Sequence, residues 1–370
     1  MIQRFEVFIS AAVAVFLGCG LAQTAPSQPP PPASLSMAAL EADLDRIVPP
    51  LLEQHRVPGA SVAVLVDRRT VIVRGYGRLR ATEDSPPVDE HSVFQVASLS
   101  KPVVAYGVHR LAADRNQEFH LDIPLVFYRP PDEPYERGDE RLGKITPRMV
   151  LSHSSGFPNW RPDDRSDNPK PLEIKFEPGS KFRYSGEGYV YLQRVLEQIT
   201  GETLEEYLRR AVLDPLEMTD SSFVWHQRFE SVHAAPHDKK GRPEGKERPR
   251  QAKAAGTLHT TAEDYARFLE AVLGDDPKEG QGEWLTPTSR IDRRLGWSLG
   301  WGFETAADGN LFWQWGDDGT FKAFAAGSHP RGVAVVVLTN GARGLRVGRP
   351  VVERVLGSDL RFLDFWMLRY

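Results

Sequence analysis

Strand-like apolar runs stand near both ends of this chain, and a long stretch between them reads as helices and loops. After helical spacing over Leu40 to Leu52, two short runs follow, Ser61 to Val66 and Thr70 to Tyr76, joined by the turn Asp67-Arg68-Arg69. Strand patterns return only late, at Leu295 to Glu304, Asn310 to Trp315, Phe321 to Ala326 and Val333 to Thr339, with Arg349 to Leu356 as a closing helix. The middle carries helical spacing at Pro147 to His153, Gly188 to Ile199, Thr203 to Val212 and Ala262 to Leu273. This order predicts an α+β fold. One antiparallel sheet is formed from both chain ends and flanked by helices, with an inserted, mostly helical region spanning about 120–270.

A chain of 370 residues can hold one large domain or two coupled ones. A net charge of −4 points away from nucleic acid and from strong attraction to an anionic membrane. Several of the eight tryptophans cluster between Trp284 and Trp315, where they can line a pocket or fill a core. At the N-terminus, Arg4 precedes an apolar run from Val7 to Leu17 and small residues up to Ala22-Gln23. Residues 1–22 are therefore expected to be an export signal, too short to span a membrane comfortably, and the protein periplasmic or secreted. Residues 23–38, with Pro26 and Pro29 to Pro32, read as a stiff tether, and residues 39–370 as the folded domain.

The single cysteine, Cys19, lies in the signal, so cysteine nucleophiles and zinc thiolate sites are excluded from the domain. Phe16-Leu17-Gly18-Cys19 is similar to a bacterial lipoprotein cleavage box, with Phe where Leu is usual, which would make Cys19 a lipid anchor. The competing reading is a small apolar residue discarded with the signal after Ala22.

Ser98-Leu99-Ser100-Lys101 opens the apolar, helix-like run Val96 to Leu111. A serine hydroxyl attacks a carbonyl only if something removes its proton. A lysine three residues on along a helix lies on the same face, one turn away. The helix start adds unpaired N–H groups and a partial positive charge that favours a neutral amine. Nucleophile, base and part of an oxyanion hole can thus come from one turn of chain. Taken alone, the pattern also fits a helix start with a solvated lysine.

Two further segments carry polar chemistry. Tyr184-Ser185-Gly186 precedes the helix Gly188 to Ile199. A tyrosine here could relay a proton, provided a cation such as Lys101 lies near; otherwise it caps a turn. Gln314-Trp315-Gly316-Asp317 ends a strand, whose edge could offer a second oxyanion donor and hold substrate.

Taken together, Ser98-x-x-Lys101, Tyr184-Ser185-x and a strand ending in x-x-Gly316 resemble the serine β-lactamase and penicillin-binding-protein superfamily, nearest its class C-like branch with esterases and D-amino-acid peptidases. The resemblance runs from about Leu44 to Leu356. It includes Val57-Pro58-Gly59-Ala60, Leu151-Ser152-His153-Ser154-Ser155-Gly156, Thr200-Gly201, Pro215-Leu216-Glu217-Met218 and Ala255-Gly256 through Thr261. It implies a β-lactamase/transpeptidase-like fold, Ser98 as acyl-forming nucleophile, Lys101 as its partner base and Tyr184 as proton shuttle. Backbone N–H groups of Ser98 and Asp317 would form the oxyanion hole, and Gln314, Trp315, Gly316 and Gly186 would face substrate. Whether Lys101 or Tyr184 is the acylation base stays open.

Two departures shape the expected substrate. Gly186 stands where the family often has Asn, which removes an amide able to hold an acylamino group. Gln314 stands where Lys or His is usual, which removes a cation suited to a substrate carboxylate. Both point to an exported carboxylesterase-type hydrolase of small-molecule ester, amide or peptide substrates. The alternatives are a weak β-lactamase or D-amino-acid peptidase, and a binding protein that keeps the pocket without the chemistry.

Other signals are weaker. Gly296-Trp297-Ser298-Leu299-Gly300 matches a nucleophile elbow, but no helix follows, so Ser298 is expected to be a strand residue. His153 is expected to be a hydrogen-bonded internal histidine. The remaining histidines lack ligand spacing, and no metal or other cofactor is expected. Asp238 to Lys253, rich in Lys and Arg, is expected to be a mobile surface loop, with a lid or an anion contact as its functional reading.

Overall fold

In a computed structural model, the chain is described over residues 36–130, 139–161, 172–274, 285–307 and 309–368. The expected export signal 1–22 with Cys19, most of the tether and Trp284 lie outside the described residues.

Ten strands are present among these residues: β1 Gly59–Val66, β2 Arg69–Gly77, β3 Phe94–Gln95, β4 His259–Thr260, β5 Ser289–Arg290, β6 Leu295–Trp297, β7 Gly302–Glu304, β8 Leu311–Asp317, β9 Lys322–Ser328 and β10 Val333–Thr339. The helices are α1 Met37–His55, α2 Ser100–Ala113, α3 Leu125–Tyr128, α4 Pro147–Leu151, α5 Gly186–Thr200, α6 Leu204–Leu208, α7 Phe229–Val232, α8 Ala262–Gly274 and α9 Leu345–Leu356. Eight strands form one sheet in the order β2-β1-β10-β9-β8-β7-β6-β5. Each pairing in it is antiparallel. The first two strands join the last six through β1 and β10, with Val62 opposite Val337. The sheet is therefore built from both chain ends, with the helical region inserted between them.

Side-chain alternation explains why β1 and β10 read as continuous apolar runs. Val62, Val64, Val335 and Val337 pack with Leu44 and Val48 of α1 and Val351 and Val355 of α9. Ala63, Leu65, Val336 and Leu338 face the other way, into the core that holds α2 and α8. Successive residues point to opposite faces, and both faces are covered, so both must be apolar.

Local details differ from expectation in three places. Met37 and Ala38 belong to α1 rather than to the tether, because Ser36 caps the helix, its Oγ accepting from the Ala39 N–H at 3.1 Å. Leu295 to Glu304 is a hairpin of β6 and β7, not one strand. The Ser298 N–H donates to the Trp301 carbonyl at 2.9 Å, and Gly300 takes the φ of 105° that closes the turn. Beyond the turn, a side chain at Gly302 would collide with the Trp313 ring. The third difference is a two-stranded sheet of β3 and β4, too short to leave a pattern in sequence. It carries the segment around Ala255 to the start of α2.

Asn340 ties the two chain ends together. Its buried side chain accepts from the Gly59 N–H at 2.8 Å and donates to the carbonyls of Arg78 and Leu79 at 3.2 and 3.0 Å. Asn340→Ala takes the partner from the buried Gly59 N–H and one of two donors from the Leu79 carbonyl, which keeps the Ala235 N–H at 2.8 Å, so it should cost about 1–3 kcal/mol. Urea titration at unchanged slope measures this; a loss below about 0.5 kcal/mol would show that the seam is held elsewhere.

Candidate active site

Ser98 sits in a 3₁₀ turn, Ala97–Leu99, between β3 and α2. It is therefore one step ahead of the α-helix proper. Of the residues from Ser92 to Val108, only Ser98 is not buried. Ala97 holds a φ of 46°, a left-handed backbone that costs a side-chain-bearing residue energy. Its surroundings brace it. The Ala97 N–H donates to Gln95 Oε1 at 3.2 Å, and its carbonyl accepts from Ser100 Oγ at 2.6 Å. Ser100 Oγ in turn accepts from the Leu258 N–H at 2.9 Å, linking the turn to the residue before β4.

Lys101 is fully buried, with Nζ 3.0 Å from Ser98 Oγ and 2.6 Å from the Ala255 carbonyl. Among the described residues, no carboxylate is within ion-pair distance. Burial alone therefore acts on the amine and lowers its pKa from the ordinary 10.5 to about 7. Much of the lysine population is then neutral at physiological pH, with a lone pair available to the adjacent hydroxyl.

Tyr184 precedes α5 and is buried, its ring centroid 5.1 Å from Lys101 Nζ. Desolvation pushes the phenol up to about 12, while hydrogen bonding to Ser98 and Gln314 pulls the other way. Gln314 is buried too. Its Nε2 donates to Tyr184 Oη and to the Ser98 carbonyl, both at 3.2 Å. That carbonyl only accepts, so the amide end facing it is the nitrogen, and the phenol proton is left free to point elsewhere. Lys101 lies near Tyr184 as expected, but its amine is largely neutral, and the phenol stays neutral because burial outweighs its hydrogen bonds to Ser98 and Gln314.

Strand β8 approaches the Ser98 turn through Gly316. A Cβ there would lie 2.0 Å from the Val96 carbonyl oxygen, so only glycine lets the strand lie against the turn. Ser98 and Asp317 consequently border one cleft, of about 940 Å³. Trp315 differs from expectation. Alternation along β8 turns it away from the cleft and into the core, where its ring packs 5.1 Å from Tyr184 and 5.8 Å from Phe365. Gln314 likewise reaches the reacting groups from behind rather than lining the opening.

His153 is buried, with Nδ1 accepting from the Ser185 N–H at 3.1 Å and its ring 4.2 Å from that of Tyr184. Burial, then the nearby Lys101, holds it well below its ordinary pKa, so it is a neutral support for the tyrosine turn. Ser298 lies in the β6–β7 turn rather than in a strand. It is fully buried, and its Oγ donates to the Trp301 carbonyl at 3.1 Å. Among the described residues, no group of three or more His, Cys, Asp or Glu could hold a metal ion. No described helix is long and apolar enough to cross a membrane.

The basic segment forms a wall of the cleft, through Arg248, Arg250 and Lys253. It is held at several points, which the surface-loop expectation did not include. Lys246 Nζ donates to the His233 carbonyl at 2.8 Å, Arg248 pairs with Glu230 at 2.7 Å, and the Trp225 N–H donates to the Pro249 carbonyl at 2.7 Å. Across the cleft stand Trp160 and Val190. Sequence reasoning missed both, as well as the Ala255 carbonyl. A lone tryptophan in a loop and a backbone oxygen leave no spacing to read.

The chain matches the Beta-lactamase family over residues 44–356. It is similar to esterase EstB of Burkholderia gladioli, 32% identical over 225 residues that cover 54% of this chain and 56% of that protein. It is also similar to a lovastatin esterase of Penicillium rubens, 30% identical over 162 residues, 36% of this chain and 40% of that one. The chain thus spans about half the length of these curated relatives. A solved class C beta-lactamase has the same fold, with a TM-score of 0.74 at 19% identity over 89% of this chain and 98% of that one. With the match running through both sheet ends and the inserted helices, the chain belongs to the Beta-lactamase family.

Proposed function

We propose that this protein is a serine hydrolase that cleaves carboxylic esters through an acyl-Ser98 intermediate. The observation that carries the reading is a fully buried lysine with no carboxylate partner among the described residues, 3.0 Å from the one accessible hydroxyl of its turn. Lys101, with its pKa near 7, takes the proton as Ser98 Oγ bonds to the ester carbonyl carbon. The carbonyl π electrons move to oxygen, and the backbone N–H groups of Ser98 and Asp317 hold the oxyanion. Tyr184, neutral with a pKa near 12, gives its proton to the departing alkoxide and regains one from the Lys101 ammonium. Water then attacks the acyl group by the same path in reverse. These pKa values favour Lys101 over Tyr184 as the acylation base.

The ester preference rests on Gln314, a neutral amide already engaged with Tyr184 and the Ser98 carbonyl. It offers no charge to a β-lactam or peptidyl carboxylate, which forgoes a charge-assisted bond of roughly 1.5–3 kcal/mol. Two relatives named as esterases support the same reading. Export through residues 1–22 is part of the proposal and rests on the apolar run Val7 to Leu17.

A fluorophosphonate probe should add once to the purified full chain, with peptide mapping placing the adduct on Ser98. Ser98→Ala should remove the adduct and lower ester hydrolysis at least about 10³-fold while the fold persists. Folded wild-type protein that takes no adduct would instead favour a binding protein without chemistry. A chromogenic cephalosporin hydrolysed faster than short-chain esters would overturn the substrate preference.

The labelling rate should also depend on pH with a fixed sign. Only the neutral amine accepts a proton, so the rate rises with pH, is half-maximal near the Lys101 value of about 7, and is level above it. A rate that falls across this range, or climbs only toward pH 10, would contradict Lys101 as the base.

A further inference from the structure

Among the described residues, Trp160 is the one large aromatic side chain lining the cleft that holds Ser98. It is 51% exposed, whereas Trp297, Trp301, Trp313 and Trp315 are all buried. An indole left half in water beside a nucleophile is an apolar surface without an internal partner.

The chain holds this ring in place. Trp160 lies over Gly186, where a Cβ would come 2.7 Å from Cη2 and 2.9 Å from Cζ3 of the indole. Gly186 does not adopt a left-handed φ, so space rather than backbone conformation calls for glycine there. The neighbouring backbone is fixed as well. Asn159 accepts from the Gly186 N–H through Oδ1 at 2.9 Å, and Ser185 Oγ donates to the Pro158 carbonyl at 2.8 Å. Arg161 and Glu187 form a buried ion pair at 2.6 Å. The indole is thus carried on a segment bound at several points to the start of α5, one helical turn before Val190, which lines the same cleft.

We infer that Trp160, seated on Gly186, is the specificity-determining residue of the cleft, and that it selects esters bearing a flat apolar group. This deepens the esterase reading and rests on it for turnover, though not for binding. A flat ring can stack on the exposed indole beside Val190, whereas a methyl or acetyl group leaves that surface wet. Trp160 touches substrate without taking part in bond making.

The test uses the full chain with two ester series, one with a fixed small alcohol and acetyl or cinnamoyl acyl groups, the other an acetate of methanol or of 2-naphthol. In at least one series, Trp160→Ala should lower kcat/KM for the aromatic ester about tenfold more than for its small counterpart, mainly through KM. Trp160→Phe should keep most of the preference. Gly186→Ala, whose methyl group displaces the indole, should reproduce the Trp160→Ala ratio. Binding is read separately in Ser98→Ala, where methyl cinnamate and 2-naphthyl acetate are titrated calorimetrically with and without Trp160.

Equal ratios in both series, together with equal binding of both titrated esters, would overturn the inference. Trp160-dependent binding without wild-type turnover or labelling would uphold it while the hydrolase reading falls.

Discussion

The rest of this site depends on a fully buried amine, Lys101, that has no counter-ion among the described residues. Lys101 is enclosed by the turn it belongs to, by the rings of Tyr184 and Tyr189, and by the Ala255 carbonyl. Taking its charge out of water is costly, and the cost is lowered when the proton leaves. Every neighbour that excludes water from Lys101 therefore also favours a neutral amine beside Ser98. The β3–β4 pair matters for the same reason. It draws the Ala255 segment, near the end of the helical insertion, against a turn encoded some 150 residues earlier.

The same logic sets the identities around the amine. Gln314 makes the nearby phenol an acceptor without placing a second positive charge beside Lys101. A lysine in its place would put one ammonium near another and favour a phenolate instead. His153, buried and neutral, supports the tyrosine turn without adding charge. Gly316 and Gly186 act through absent atoms. The first admits a strand to the Ser98 turn, and the second admits an indole to the cleft. Backbone closeness on one side and an aromatic wall on the other leave room for a substrate whose carbonyl lies at Ser98.

Much of this was legible in sequence. The sheet and its insertion follow from the two apolar ends and the helical middle, because continuous apolar runs buried on both faces need strand partners and the far end supplies them. Ser98, Lys101 and Tyr184 were readable because the chemistry imposes a spacing on the first two and a turn on the third. What was lost has physical causes. Strands of two or three residues, such as β3 and β6, are too short to show a period. Trp315 does not face the cleft as the motif implies, because alternation along β8 sends Gln314 to Ser98 and Tyr184 and Trp315 to the core. The Ala255 carbonyl, as a backbone group, has no sequence signature, and neither does Trp160, whose meaning comes from Gly186 beneath it.

The most direct test of the account is the proton affinity of Lys101 itself. With lysine side chains labelled with ¹³C at Cε, and Lys101 assigned by its loss in Lys101→Met, the resonance can be followed through a pH titration of the resting protein. The account predicts a midpoint of about 7, well below the ordinary 10.5. A midpoint at the ordinary value would mean a charged lysine beside Ser98 at neutral pH, and the activated serine would lose its base.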